Sequence, residues 1–447
     1  MTYNLTKGSI SKNIILFSLP FLLSYFLQTL YGLADLFIAG QYNGADVISA
    51  VAIGSQIMHM VTVIIVGLAT GTTVMISRAV GAGESKKISG IIASTILLFF
   101  VVAVLCTAVL SLCCPAIVSL MSTPMESVVE TKRYLFICFA GIPFIIAYNI
   151  ISSIFRGMGD SKSPMFFIAI ACVVNIVLDV VFMGVLKMGA AGAAYGTVLA
   201  QAFSVLCAFV AIKKFDMGIH LTKKDFSLCD GYFSQMLVIG LPIAVQDGFV
   251  QISFLIITII ANRRGVDVAA AVGIVEKIIC FLFLVPSTML SAVSSISAQN
   301  IGAGEFGRAK KTLVAGSVMA ASIGGVFAII FQFASRPVLS LFTDNETVVD
   351  LGTQYLKTYV FDCLVAGIHF PFSGFFSSFG FSMVSFVHNV CSIIAVRIPG
   401  AYLAALYFPK TLYAMGLAAP LGSLLSVFIC IGVYVYMQRR GKFDRIA

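Results

Sequence analysis

Residues 14–40 read IILFSLPFLLSYFLQTLYGLADLFIAG, a stretch in which Asp35 is the only charged side chain. A helix of about 20 mainly apolar residues crosses the bilayer core, so this stretch is long enough to span. It is also too long for the apolar region of a secretory signal, and no small-residue cleavage pattern follows it, so it is expected to stay in place as the first span. The rest of the chain repeats the theme. Of 447 residues, 60% are hydrophobic and 11% charged, with mean hydropathy +1.04, whereas soluble domains carry roughly a quarter charged residues. Forty-seven charged side chains cannot cover a soluble surface of this size. The sequence therefore predicts an all-α integral membrane protein and excludes the soluble enzyme folds.

By the same ruler the chain divides into twelve spans, near 14–40, 46–76, 89–113, 130–154, 163–185, 190–212, 235–261, 267–297, 311–333, 350–377, 384–407 and 412–437. The net charge of +9 is scattered in short clusters between the spans, the pattern of topology rather than of a nucleic-acid surface. With both termini in the cytoplasm, 18 of the 28 Lys and Arg fall inside. That excess sets the orientation of a multi-pass plasma-membrane protein. Ten of the eleven cysteines lie in or beside apolar runs and only Cys229 sits in a polar loop; no metal-ligand spacing occurs, so they read as packing residues.

The sequence is also duplicated. Ser18-Leu19-Pro20-Phe21 returns as Gly240-Leu241-Pro242-Ile243, and three further matches follow at an offset that differs from the first by a single position: Ala50-Val51-Ala52-Ile53 with Ala271-Val272-Gly273-Ile274, Gly81-Ala82-Gly83-Glu84 with Gly302-Ala303-Gly304-Glu305, and Tyr134-Leu135 with Tyr355-Leu356. An ordered series at near-constant spacing predicts an N-terminal six-helix bundle (1–212), a basic cytoplasmic linker (213–234) and a C-terminal six-helix bundle (235–447). An even number of spans per half makes the repeats parallel, related by a pseudo-twofold axis along the membrane normal. This is a transporter geometry, in which access alternates between the two sides. A channel is disfavoured for the same reason.

Ionisable groups inside a membrane are costly and mark cavities or partners. Those within the spans include Asp35, Asp179, Asp247, Glu276, Asp362, Lys277, Arg397, His59, His369 and His388. At about 1.5 Å per residue, Asp35, Asp179 and Thr197 lie about 8 to 10 Å from the outer ends of the first, fifth and sixth spans. Asn175, Tyr31 and Gln201 each stand one turn from one of them, on the same helix face. Two carboxylates with amide and hydroxyl oxygens suit Na⁺ or H⁺ as a coupling cation; the bland reading is hydrogen-bonded helix packing. In the second half, Glu276, Lys277, Asp362 and Arg397 fall about 14 to 18 Å from the outer ends, as an ion-pair network or a further site, and Asp247 about 21 Å deep offers an anionic group to cationic cargo. The three histidines are expected inside and match no metal motif.

Gly302-Ala303-Gly304-Glu305-Phe306-Gly307 mimics P-loop glycine spacing but lacks the Lys-Ser/Thr pair and the preceding strand; it and its first-half counterpart read as tight cytoplasmic turns. An ion gradient is then the expected energy source, with no cofactor. Thirty-eight Phe, 15 Tyr and 17 Met supply surfaces that can repack around varied cations.

These residues carry a resemblance that extends over the whole chain. Leu19-Pro20 with Asp35, the Gly81-Ala82-Gly83-Glu84 turn, Phe155-Arg156-Gly157-Met158-Gly159-Asp160, Asn175-x3-Asp179, Thr197, Gly240-Leu241-Pro242, Asn300-Ile301-Gly302-Ala303-Gly304 and Arg397-Ile398-Pro399 together resemble the multidrug and toxic compound extrusion (MATE) transporters. The resemblance implies an exporter exchanging H⁺ or Na⁺ for organic cations, the cation site formed by Asp35, Asn175, Asp179 and Thr197, and a first helix that bends near Pro20. The chain departs from one bacterial branch in having Val250 where a glutamate follows the seventh-helix proline, and Glu276-Lys277-Ile278-Ile279 where the order basic-Ile-acidic is common. A monomer with small organic cations as cargo is expected, binding no nucleic acid. The alternative is a flippase or exporter of a lipid-linked or other cellular metabolite, against which five membrane acids face two bases. An enzyme is not expected, since no nucleophile-base or metal constellation is visible.

Overall fold

The computed structural model describes residues 4–121, 123–214, 222, 225–226 and 231–444. Most of the expected linker, with Lys223, Lys224 and Cys229, lies outside the described residues, as does Arg445. A backbone in hydrocarbon must satisfy its own N–H and C=O groups, which leaves helices as the solution for long apolar runs. The described residues form sixteen α-helices and no strand. They are α1 (Ile10–Tyr42), α2 (Ala45–Ala82), α3 (Ser85–Leu120), α4 (Val128–Ala140), α5 (Ile142–Gly157), α6 (Lys162–Asp179), α7 (Ala190–Lys214), α8 (Tyr232–Asn262), α9 (Val266–Leu282), α10 (Leu284–Gly302), α11 (Phe306–Leu339), α12 (Glu346–Tyr359), α13 (Phe361–Ser378), α14 (Ser382–Ser392), α15 (Ile398–Tyr407) and α16 (Tyr413–Arg439).

Among the described residues, eleven stretches are long and apolar enough to cross a membrane, and α4 with α5, bent by 49°, makes a twelfth when the pair is counted as one span. Each falls on one of the twelve runs picked from sequence. Five of those runs are not single uninterrupted α-helices. The backbone breaks at Gly141, Phe283 and Val360, and the run containing α14 and α15 passes through a π-helical segment, Ile393–Arg397. A second π segment, Val180–Val185, follows α6 directly. Large apolar side chains such as Leu112, Phe333 and Phe100 are exposed, at 82%, 81% and 67%. In a spanning chain that surface meets lipid.

The chain packs as two compact units, one containing Leu19–Leu237 and the other Leu5–Ser18 with Val238–Ala447. In the first, Tyr148, Ile151, Phe155, Phe167 and Val205 build a core from α5, α6 and α7. In the second, α11 and α13 cross almost backbone to backbone. A Cβ on Gly324 would meet the Cys363 carbonyl oxygen at 2.4 Å, and one on Gly367 the Ala320 carbonyl carbon at 2.7 Å, the small-residue crossing favoured where lipid supplies no hydrophobic drive. Residues 5–18 join this unit through Leu5, Ile14 and Phe17, which pack against Met289, Ala292 and Ile296. Polar contacts add to this: Arg308 Nη1 donates to the Gly8 carbonyl (2.9 Å) and the Leu5 amide to Gln299 Oε1 (3.2 Å).

The duplication is visible in turn geometry. Gly83 and Gly304 take left-handed φ of +71° and +77°, and the following amides close back on the helix, Glu84 to the Ala79 carbonyl and Glu305 to that of Asn300. Gly159 and Gly380 repeat the device at +88° and +81°, with Asp160 bonded to the Phe155 carbonyl and Phe381 to that of Phe376. Both pairs keep the spacing of the sequence repeat. The second pair was hidden because Phe-Ser-Ser-Phe-Gly-Phe (376–381) shares with Phe-Arg-Gly-Met-Gly-Asp (155–160) only the first phenylalanine and the glycine that the left-handed turn requires.

Candidate functional site

In the first unit, α1, α6 and α7 bring Asp35, Asn175, Asp179 and Thr197 into one constellation. Thr197 Oγ1 donates to Asp35 Oδ2 (3.3 Å) and Asn175 Nδ2 to Asp179 Oδ2 (3.3 Å). The two carboxyl groups lie close enough to interact directly. Asp35, Asn175 and Asp179 are 2%, 1% and 0% exposed. Asp35 Oδ1, Asp179 Oδ1 and Asn175 Oδ1 are buried without a hydrogen-bond partner, and among the described residues no lysine or arginine forms an ion pair with either acid. A carboxylate oxygen can only accept, and becomes a donor only once protonated. A buried set of unmatched acceptors is suited to a proton or a small hard cation.

Local structure explains how two acids come so close. On α7 the residue before Thr197 is Gly196, where a Cβ would lie 2.1 Å from Asp179 Oδ1. The bare Cα is the space the carboxylate occupies. The helix carrying Asp179 then widens into the π segment Val180–Val185, a local rearrangement frequent at functional positions. Tyr31 and Gln201 lie near each other beside Asp35, and Gln201 Oε1 is a further buried oxygen without a hydrogen-bond partner.

Three contributors were not picked from the sequence. Gly196 has no polar atom to draw notice, although the run Ala-Ala-Gly-Ala-Ala-Tyr-Gly (190–196) signals close helix approach. Tyr134 of α4 lies within electrostatic reach of Asp35, and its hydroxyl is 3.1 Å from that of Ser55 on α2. Both are ordinary residues in an apolar run, and only the fold shows what they face.

The second-unit candidates do not form one cluster. Arg397 Nη2 donates to the Tyr359 hydroxyl (2.6 Å), and its guanidinium sits 4.6 Å from the Phe254 ring centroid. Thr258 Oγ1 donates to Glu276 Oε2 (3.3 Å), and Asp362, 1% exposed, has Arg397 and Ser423 as polar neighbours. Glu276 and Asp362 thus share one cation, Arg397, at more than ion-pair distance. Lys277 is exposed and joins no ion pair, because its neighbour Glu276 takes the inward face of α9. Asp247, half-buried on α8, has no hydrogen bond to any of them. Of the histidines, His369 and His388 are buried with ring centroids 5.7 Å apart, and His388 Nε2 is 2.9 Å from Ser373 Oγ. His59, expected inside, is exposed. No group of three or more metal-ligating side chains occurs among the described residues.

The model of the MatE family matches the chain twice, over residues 20–181 and 242–403, so the two matches begin at Pro20 and Pro242, the prolines that open the sequence repeat. The chain is 28% identical to the probable multidrug resistance protein YpnP of Bacillus subtilis, covering 98% of each chain. It is 25% identical to the probable multidrug resistance protein YoeA of the same organism, covering 100% of this chain and 98% of that one. Among solved structures, a MOP superfamily transporter from Pyrococcus furiosus, described as having a binding pocket of reversed polarity, superposes with a TM-score of 0.91. The identity is 22%, and 98% of both chains is covered.

Proposed function

The chain belongs to the MatE family of multi-pass membrane transporters, and from that premise we propose that it is a secondary antiporter exporting small organic cations in exchange for H⁺ or Na⁺. The observation that carries the reading is the pairing of Asp35 with Asp179 among buried oxygens that no protein donor satisfies. Two anions held together in an apolar bundle repel until a cation joins them. The site is therefore a device that stores its free energy in an unneutralised pair and releases it when H⁺ or Na⁺ arrives. Asn175 and Thr197 orient one oxygen of each acid and leave the others for the cation.

Coupling follows from linkage. If the arrangement that binds cargo keeps the acids apart and the other draws them together, the cation favours the second and lowers affinity for cargo. A tenfold change needs only about 1.4 kcal/mol of differential interaction, within the reach of one buried carboxylate. The cargo is taken to be cationic because the acids outnumber the bases in the spans. Both termini and the Gly83, Gly159, Gly304 and Gly380 turns lie on the cytoplasmic side in this reading, which the distribution of Lys and Arg supports.

Reconstitution into liposomes tests it. Export of a fluorescent organic cation should follow an imposed H⁺ or Na⁺ gradient and collapse when that gradient is dissipated. Export that proceeds with neither gradient would rule out the antiport mechanism.

A further inference from the structure

A cavity of about 470 Å³ opens on the second unit, between the start of α1, α11 and α16. Its floor is made by two adjacent rows of α11 at four-residue spacing, Lys310-Val314-Val318 and Lys311-Ala315-Met319. Side chains four apart on a helix stack on one face, so each row begins with a cation and continues as apolar surface for about 12 Å along the axis. Val314 and Val318 are 61% and 60% exposed. Tyr434 of α16 and Ser11 of α1 form the walls.

The two lysines have donors to spare. Lys310 Nζ gives one hydrogen bond to Asp444 (2.7 Å), leaving two of its three donors, and all three of Lys311, without an acceptor among the described residues. In a spanning helix they can stand only at the membrane surface, with the apolar rows beneath them in hydrocarbon. On the orientation proposed above, that surface is the cytoplasmic leaflet, where anionic lipid is concentrated.

We propose that this groove is a binding site for an anionic phospholipid, its headgroup phosphate held by Lys310 and Lys311 and its acyl chain lying along Val314, Val318 and Met319. A free anion matches the lysines alone and leaves the apolar rows unused; a zwitterionic lipid matches the rows but brings its own cation to the phosphate. An anionic lipid meets both. The bound lipid bridges the start of α1, through Ser11, to α11 and α16, so it supports the end of the helix that carries Asp35 further along.

Native mass spectrometry of the purified full chain in mixed micelles reads this without any transport assay, and so independently of the antiport proposal. Phosphatidylglycerol should bind about tenfold more tightly than phosphatidylcholine of the same chains. Lys310→Gln with Lys311→Gln should bring the two within about twofold, at an unchanged unfolding temperature. Val318→Trp, which keeps both lysines and fills the apolar half, should weaken both lipids. Lys86→Gln with Lys87→Gln, on the other unit, should leave the preference intact. Equal binding of the two lipids by the native chain, a preference that survives loss of both lysines or vanishes equally with Lys86 and Lys87, or full competition by inorganic phosphate would each overturn the proposal.

Discussion

Asp179 receives one hydrogen bond, from Asn175, and sets its other oxygen against the bare Cα of Gly196. A single methyl group at that position therefore acts on the site directly. Gly196→Ala should displace the carboxylate at a cost of about 1 to 3 kcal/mol and reduce transport at least tenfold, whereas Ala at Gly273, which has nothing within 4 Å, should leave transport unchanged; thermal unfolding and export rates check both. Removing the charge while keeping the shape is the sharper change. Asp179→Asn should fold, reach the membrane and lose gradient-driven export, and near-normal transport by a well-expressed variant would make the residue a packing group. At this scale the sequence shows what chemistry marks: Asp35, Asn175, Asp179 and Thr197 stand out as polar groups of matching depth in apolar runs. It does not show Gly196, whose contribution is an absent side chain, nor Tyr134 and Ser55, which become part of the network only when α2 and α4 pack. Lys277 shows the reverse error. Depth alone grouped it with Glu276, but residues next to each other on a helix are about 100° apart, and only one of the two can face inward.

Among the elements, α8 is divided between the two compact units at Leu237 and Val238, and so is α1. The α1 residues up to Ser18 pack with the second and those from Leu19 with the first, so the division falls just before Pro20. Proline has no N–H to give the preceding turn and weakens the ladder where it sits. If the movement that couples cation to cargo passes through this point, Pro20→Ala should slow turnover several-fold while changing equilibrium binding of cargo by less than about twofold. Stopped-flow efflux alongside binding on the same preparation separates the two, and unchanged turnover would take Pro20 out of the mechanism. All spans were legible as apolar runs, because membrane thickness sets their length. The breaks within them were not. At Phe283 and Val360 the apolar pattern continues across the break, and the π segments at 180–185 and 393–397 change the hydrogen-bond register without changing composition.

At the scale of the whole molecule, one internal repeat is visible in the sequence matches, the paired left-handed turns and the two matches of the family model. Yet the halves are not chemically equal. The first assembles two acids without a base, and the second holds Glu276 and Asp362 near the cation Arg397. Duplication supplied two scaffolds, and in this account only the unneutralised one binds the coupling cation. Asp35 is where that claim is most exposed, since it contributes one of the two charges and lies on α1, a helix divided between the two units. Binding of an organic cation to the purified native chain should weaken as H⁺ or Na⁺ is raised. Binding to Asp35→Asn, which carries the neutral isostere permanently, should be weaker from the outset and flat against both ions. A variant that keeps the native dependence on pH or Na⁺ would contradict the account and move the coupling site to the second half, to Glu276 or Asp362.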